Sequence, residues 1–301
     1  MLNLQDYIVH TGLFKKFKVD DLLFVEYKCL VEEALIDVWW HNNFFAYVLA
    51  GEMKWKTPRK EYPIKAGQCL FAKKGAIMAR TDVKHDYCEL LIFVPDEFIK
   101  TVIEKYKIPL AHHINEQNCD TIIPLDINEV LEAYFHSLLT FFSQSIPPSE
   151  TLLKIKFEEL IVSLLSTNDN LPLKCYCSDL CNNSKSSIKE IMEANFQFNL
   201  SLDEFARLCC RSLSAFKIDF KNIYKMSAGK WLQEKRLEYS KYLLETTDHD
   251  IHEIALDSGF ENMSHFIRVF KNKYRITPGK YQSQKSKKGQ ITIPELHNTF
   301  I

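Results

Sequence analysis

The sequence predicts an α+β protein: a β-rich front domain, a helical segment, and an all-α C-terminal domain built from two helix-turn-helix units. Three observations carry this prediction. Short aromatic and β-branched runs are confined to the front of the chain, helical periodicity takes over after residue 124, and the last third contains an internal repeat.

Residues 1–123 form the β-rich part. Leu22–Tyr27, Phe44–Leu49 and Leu90–Val94 have strand composition, and Ala50-Gly51-Glu52, Thr57-Pro58, Ala66-Gly67 and Lys74-Gly75 supply the turns between strands. Close spacing of several short strands predicts a small sandwich or barrel. Residues 124–166 are expected to form a helical hairpin. Val130, Tyr134, Leu138 and Phe141 follow one stripe, Leu152, Ile155, Leu160 and Leu164 a second, and Ile146-Pro147-Pro148-Ser149 separates them. Polar, punctuated residues 167–184 read as a linker. Residues 185–284 read as helical, and 285–301 as a mobile basic tail.

The formal net charge of -1 conceals an asymmetry. Residues 185–288 hold 19 Lys and Arg against 13 Asp and Glu, a net of +6, and the rest of the chain has a net of -7. A basic C-terminal third behind an acidic remainder is the electrostatic layout of a DNA-binding module carried on a sensor. No stretch approaches the roughly 20 apolar residues that span a membrane. Residues 1–16 lack a signal-peptide pattern. Nine scattered cysteines suit a reducing compartment better than a disulfide framework, so a cytoplasmic protein without membrane association is expected.

The repeat is the strongest feature. FKIDFKNIYKMSAGKW (Phe216–Trp231) matches FIRVFKNKYRITPGKY (Phe266–Tyr281) at an offset of 50 residues. Upstream, at an offset of 49, Ser201-Leu202-Asp203-Glu204 and Asp250-Ile251-His252-Glu253 are both capping boxes, followed by apolar Phe205-Ala206 and Ile254-Ala255. Each copy is therefore a capped short helix, a turn, and a second helix with Phe at i and i+4, which is helix-turn-helix patterning. The second turn, Ser258-Gly259-Phe260, has the glycine that a sharp turn favours. The first has Cys209-Cys210-Arg211 and is expected to be strained or differently shaped. A helix over Lys230–Leu244, roughly 22 Å long at 1.5 Å per residue, would separate the two units.

IHEIALDSGFENMSHFIRVFKNKYRITPGKY (Ile251–Tyr281) closely resembles the signature of the AraC/XylS regulators, and the resemblance extends over Ile188–Tyr281. Where that family usually has Gly this chain has Lys225 and Arg275, and Ala228 replaces a Pro, so altered helix caps are expected. The resemblance implies a sequence-specific transcription regulator whose recognition helices enter two successive major grooves of double-stranded DNA. Its groove-facing positions fall on Ser214, Lys217 and Ile218 in the first unit, and on Met263, Ser264, His265, Ile267 and Arg268 in the second. Arg268 has the chemistry for guanine O6/N7, and Ile218 that for a thymine methyl. Lys221 and Lys271, each beside a core Phe, are assigned to phosphate.

Phe44–Lys74 is similar to the cupin-type barrel common at the front of that family, and the region through Val94–Lys100 is also similar to activators of type III secretion genes, which are controlled by protein partners. A small-molecule effector or a regulatory protein is therefore the expected gate, with RNA polymerase as a further partner of an activator. A metal-dependent cupin enzyme is the rival class. It needs clustered His ligands, but His10, His41 and His85 are isolated and His112-His113 are adjacent, so no enzyme, metal or cofactor is expected. A DNA-organising protein without a switch is the third class. Cys175, Cys177 and Cys181 are close enough in sequence to suggest zinc or redox chemistry, but their spacing matches no ordinary zinc site. Cys209 and Cys210 are expected as one buried and one turn residue. The apolar stripes of residues 124–166 exceed what a small barrel must cover, so a homodimer is expected.

Overall fold

The computed structural model describes residues 1–28, 34–57, 60–81, 87–110, 121–182 and 188–288. It divides into two compact units. One comprises Met1–Asn195 with Asp203–Leu213; the other comprises Phe196–Leu202 with Ser214 to the C-terminus.

The first unit opens with β1 (Leu2–Asn3), α1 (Leu4–His10), β2 (Lys15–Val19), β3 (Leu22–Lys28), β4 (Ala34–Trp40), β5 (Asn43–Ala50) and β6 (Glu52–Lys56). It continues through β7 (Glu61–Lys65), β8 (Cys69–Ala72), β9 (Gly75–Thr81), β10 (Cys88–Val94), α2 (Asp96–Tyr106) and β11 (Ile122–Leu125). Four further helices follow: α3 (Glu129–Ser143), α4 (Glu150–Ser166), α5 (Leu171–Asn182) and α6 (Ile188–Asn195). The strands form a five-stranded sheet in the order β1-β4-β9-β6-β7 and a six-stranded sheet in the order β11-β8-β5-β10-β3-β2.

Strand alternation sends successive side chains of the six-stranded sheet into two cores. Leu23, Val25, Phe44, Ala46, Leu91 and Phe93 meet Trp40, Met53, Trp55 and Ile64 of the five-stranded sheet. The neighbours Phe24, Phe45, Tyr47, Leu90 and Ile92 pack instead against α2 to α5. Phe24 stacks on Phe157 of α4 at 3.9 Å, and Tyr47 on Phe135 of α3 at 4.2 Å. A sheet buried on both faces needs nearly continuous apolar strands, which is why β5 and β10 read as unbroken hydrophobic runs.

The two hairpin helices form where expected, but their buried faces differ from the stripes in the sequence. In α3 the buried residues are Leu131, Tyr134, Phe135, Leu138 and Phe142, while Val130 is 68% exposed. In α4 Leu160 and Leu164 are buried, as are Leu153, Phe157, Ile161 and Leu165, but Leu152 and Ile155 are exposed. Tyr134, Leu138, Leu160 and Leu164 of the expected stripes are buried, and each face turns towards the aromatic side, where Phe135 and Phe157 stack on the six-stranded sheet.

The expected linker is instead α5. Leu173 and Cys177 enter the core, and buried Asn170 accepts from the Asp126 N–H at 2.9 Å. Tyr176 on α5 also joins a buried polar cluster. Its hydroxyl donates to Asp96 at 3.1 Å, Asn43 donates to Asp96 at 2.6 Å, and the Lys74 ammonium pairs with Asp96 at 2.6 Å. Burial alone would raise the Asp96 carboxyl, but Lys74 and these donors hold it below the usual carboxylate range. Within this unit Asn195 of α6 accepts from the Ala76 N–H at 2.8 Å, and Arg207 pairs with Asp6 at 3.0 Å. In these compact units α6 and residues 203–213 group with the front of the chain.

The remaining elements are α7 (Leu202–Leu208), α8 (Leu213–Tyr224), α9 (Ala228–Thr246), α10 (Ile251–Asp257), α11 (Met263–Tyr274) and α12 (Pro278–Lys288). Of the basic tail expected over 285–301, residues 285–288 belong to α12, and 289–301 lie outside the described residues. No helix among the described residues is long and apolar enough to cross a membrane.

Glu89 is a buried acid on the inward face of β10, 2% exposed and accepting from the Tyr87 hydroxyl at 2.6 Å. Burial pushes its carboxyl up to about 8 from the ordinary 4.5. The folded state therefore holds a proton that the unfolded chain releases. Its stabilisation is fully present below about pH 4.5 and is lost as pH rises towards 8. Replacing Glu89 with Gln keeps an acceptor for Tyr87 and has no proton to lose. We expect its melting temperature to fall less than that of the parent between pH 5 and pH 8; parallel curves would contradict a buried neutral carboxyl.

Candidate nucleic-acid interface

The sequence repeat is a repeat of bonds. After α7, the N–H groups of Cys209, Cys210 and Arg211 donate to the carbonyls of Phe205, Arg207 and Ala206 at 3.0, 2.9 and 2.9 Å. After α10, those of Ser258, Gly259 and Phe260 donate to Ile254, Leu256 and Ala255 at 3.1, 2.8 and 2.9 Å. The central residue is left-handed in both turns, with φ of 52° at Cys210 and 82° at Gly259. The first turn thus keeps the shape of the second and carries the strain, roughly 1 kcal/mol for a residue with a side chain. Cys209 is buried and Cys210 exposed, as the sequence suggested. Of the two capping boxes, that of Asp250 and Glu253 is present in full.

Both second helices end alike. Lys225 and Arg275 take φ of 57° and 63°, and their N–H groups donate to Lys221 and Lys271. These are the left-handed caps usually given to glycine, formed here by long basic residues. The next helices start alike too, since Ser227 and Thr277 accept from the N–H groups of Lys230 and Lys280, both at 3.4 Å.

A ladder of rings fixes which face of each second helix, α8 and α11, is buried. In α8, Phe216 lies 5.7 Å from Phe220, which lies 4.5 Å from Tyr224 and 5.9 Å from Trp231 of α9. In α11, Phe266 lies 5.6 Å from Phe270, which lies 4.6 Å from Tyr274 and 5.9 Å from Tyr281 of α12. With one side pinned, helical geometry decides the other. Ser214, Lys217, Ile218 and Lys221 of α8 are exposed, Ile218 by 62%. In α11, Ser264, Arg268 and Lys271 are exposed opposite the ladder, with Met263 and His265 exposed beside them. The exception is Ile267, which is half-buried and packs on the core formed by Leu237, Leu244, Phe266 and Phe270. Its place at the edge of the ladder gives it to the core rather than to an open face.

Side chains that sequence reasoning did not single out complete this surface. Asn262 caps α11, its side chain accepting from the His265 N–H at 2.9 Å. One open groove brings Ser264, His265 and Arg268 together with Asn199, beside the first-unit cap residue Ser201. Asn262 carried a legible signal as an N-cap residue before a helix; Asn199 carried none, because its place in the groove depends on segments far apart in sequence.

The other expected chemistry falls differently. On α5, Cys177 is buried, Cys181 exposed and Cys175 half-buried, so the three thiols occupy different environments along a helix. Among the described residues no three or more His, Cys, Asp or Glu side chains are grouped to hold a metal ion. His41 is drawn down by burial and by Arg207, and the His10 ring lies 2.7 Å from the Asp6 carbonyl. His85, His112 and His113 lie outside the described residues.

Residues 43–176 match the ExsA N-terminal regulatory domain, and residues 205–284 match a helix-turn-helix domain. VirF of Yersinia enterocolitica, a virulence regulon transcriptional activator, is 26% identical over 79% of this chain and 88% of its own length. The HTH-type transcriptional regulator ExsA of Pseudomonas aeruginosa is 24% identical over 79% of this chain and 85% of its own. Among solved structures, the apo form of a ToxT variant from Vibrio cholerae is 15% identical, spans 88% of this chain and 98% of its own, and gives a TM-score of 0.43. The chain belongs to the AraC/XylS type of DNA-binding transcriptional regulators, with an ExsA-type regulatory domain in front of its paired helix-turn-helix units.

Proposed function

We propose that this regulator is an activator that places α8 and α11 in two successive major grooves of one DNA site. The observation that carries this reading is the duplicated ring ladder, which supports two recognition helices in the same way. Helix α9 between them has 19 residues, about 28 Å at 1.5 Å per residue, comparable with the roughly 34 Å of one DNA turn. In this reading Ser214, Lys217, Ser264, His265 and Arg268 face base edges, Ile218 and Met263 offer apolar contact, and Lys221 and Lys271 neutralise phosphates. The front unit gates the protein through a small ligand or a regulatory protein, and RNA polymerase is the partner at the promoter. Such a protein works in the cytoplasm.

Selection of bound duplexes from a random pool supplies the site for the decisive comparison. Arg268→Ala should cost roughly 1–3 kcal/mol on that site and relax the base preference at one position. Lys271→Ala should weaken selected and scrambled duplexes nearly equally and reduce the salt slope by about 1. A folded Arg268→Ala variant that loses affinity equally for both duplexes would make Arg268 a backbone clamp.

We also infer a homodimer formed through α3 and α4. Val130, Leu152 and Ile155 are exposed on these helices, and Ile146 between them is 78% exposed. Apolar side chains so placed favour burial against another chain. Val130→Glu with Ile155→Glu should leave circular dichroism unchanged and shift sedimentation of the full chain from dimer to monomer. A parent that sediments as a monomer at micromolar concentration would contradict the inference.

A further inference from the structure

Helix α9 carries both recognition helices, but with different halves. Its start holds α8, through Trp231 against Phe220 and Tyr224. Its later turns hold α10 and α11, through Leu237, Leu243 and Leu244 in a core with Ile254, Phe266 and Phe270. Tyr274 of α11 also donates to the Leu237 carbonyl at 3.3 Å, and Lys273 pairs with Glu238 at 3.2 Å. Arg236 lies at the joint between the two halves.

Its guanidinium is turned onto backbone. Nε donates to the Phe196 carbonyl at 2.7 Å and an Nη donates to the Phe198 carbonyl at 2.8 Å. The intervening Gln197 carbonyl presses on the turn of the second unit. A Cβ at Gly259 would lie 2.6 Å from that oxygen and 2.9 Å from Arg236 Nε. Phe196 is held as well, edge-on to Tyr239 of α9 at 5.7 Å. Burial lowers the guanidinium to about 10, so it remains charged at neutral pH. A half-buried charge bonded to two backbone carbonyls is costly to displace, and charge-assisted bonds of this kind resist small shifts. Three segments distant in sequence, 196–198, α9 and the 258–260 turn, thus meet on one side chain, with Gly259 leaving the space they require.

We infer that Arg236 is a positioning residue that sets the separation and twist of the two recognition helices, so that the protein reads the spacing of its two DNA boxes as well as their sequence. The inference rests on the two-groove reading above. The core around Leu237 keeps α10 and α11 attached to α9, but a hydrophobic core is non-directional and tolerates rocking. The Arg236 bonds are directional and tie residues 196–198 to α9 against the 258–260 turn, which restrains such rocking. One inserted base pair moves a box by about 3.4 Å and rotates it by about 35°. A rigid reader cannot follow both boxes through that change, and a loosened one follows them at little cost.

The test uses the full chain and the selected duplex, the same duplex with one base pair inserted or deleted between the boxes, and duplexes holding either box alone. The parent should lose about tenfold or more in affinity on either change of spacing, the order expected when one set of base contacts is forfeited. Arg236→Lys and Arg236→Met should lose less than about threefold, with single-box affinities within about twofold of the parent. Gly259→Ala, which displaces the Gln197 carbonyl, should flatten the spacing profile in the same way and serves if the Arg236→Met chain does not fold. Folded variants that keep the parent's spacing penalty would overturn the inference while leaving two-groove binding intact. A parent that is indifferent to spacing would overturn both.

Discussion

The structure of the DNA-binding region depends on the burial of one ring at the centre of each recognition helix. Phe220 and Phe270 are wholly buried, and each is bracketed by an aromatic residue one turn before it, another one turn after it, and a third from the next helix. Aromatic burial contributes a large apolar area together with edge-to-face geometry, so the ladder holds the helix against rotation as well as against detachment. Once the ring face points inward, the basic and small polar residues at the intervening positions have nowhere to go but outward.

The same logic explains how the two units tolerate different local chemistry. A Cβ at Gly259 would press on the Gln197 backbone, whereas Cys210 occupies the equivalent left-handed position with its side chain exposed. Lys225 and Arg275 accept the strain of a left-handed cap while adding positive charge beside the recognition helices. In the front unit the governing constraint is a sheet with two buried faces. It demands aromatic side chains from α3 and α4 on one side and from the second sheet on the other, and it holds Glu89 in the core in a hydrogen bond with Tyr87.

Much of this was legible in the sequence because it depends on local pattern. The strands over Leu22–Lys28, Asn43–Ala50 and Cys88–Val94, the hairpin helices, the second capping box and the repeated Phe positions all announce themselves through period and spacing. What the sequence hid depends on distant partners. Residues 171–182 look like a linker until Asn170 meets Asp126 and Tyr176 meets Asp96. The stripe through Val130 is regular enough, yet the sheet selects the face through Phe135. Ile267 fits a groove-facing position by resemblance, and its half-burial follows from the adjacent core of α9 and α10. Arg236 reads as one more charge on an exposed helix until residues 196–198 are brought against it.

The central claim is that two similarly built helices read one DNA site together. Hydroxyl-radical footprinting of the full chain on a selected duplex tests it most directly. Two protected patches on the same face of the duplex, centred about one turn or 10 base pairs apart, are the expected result. A single protected patch, or two on opposite faces, would contradict it.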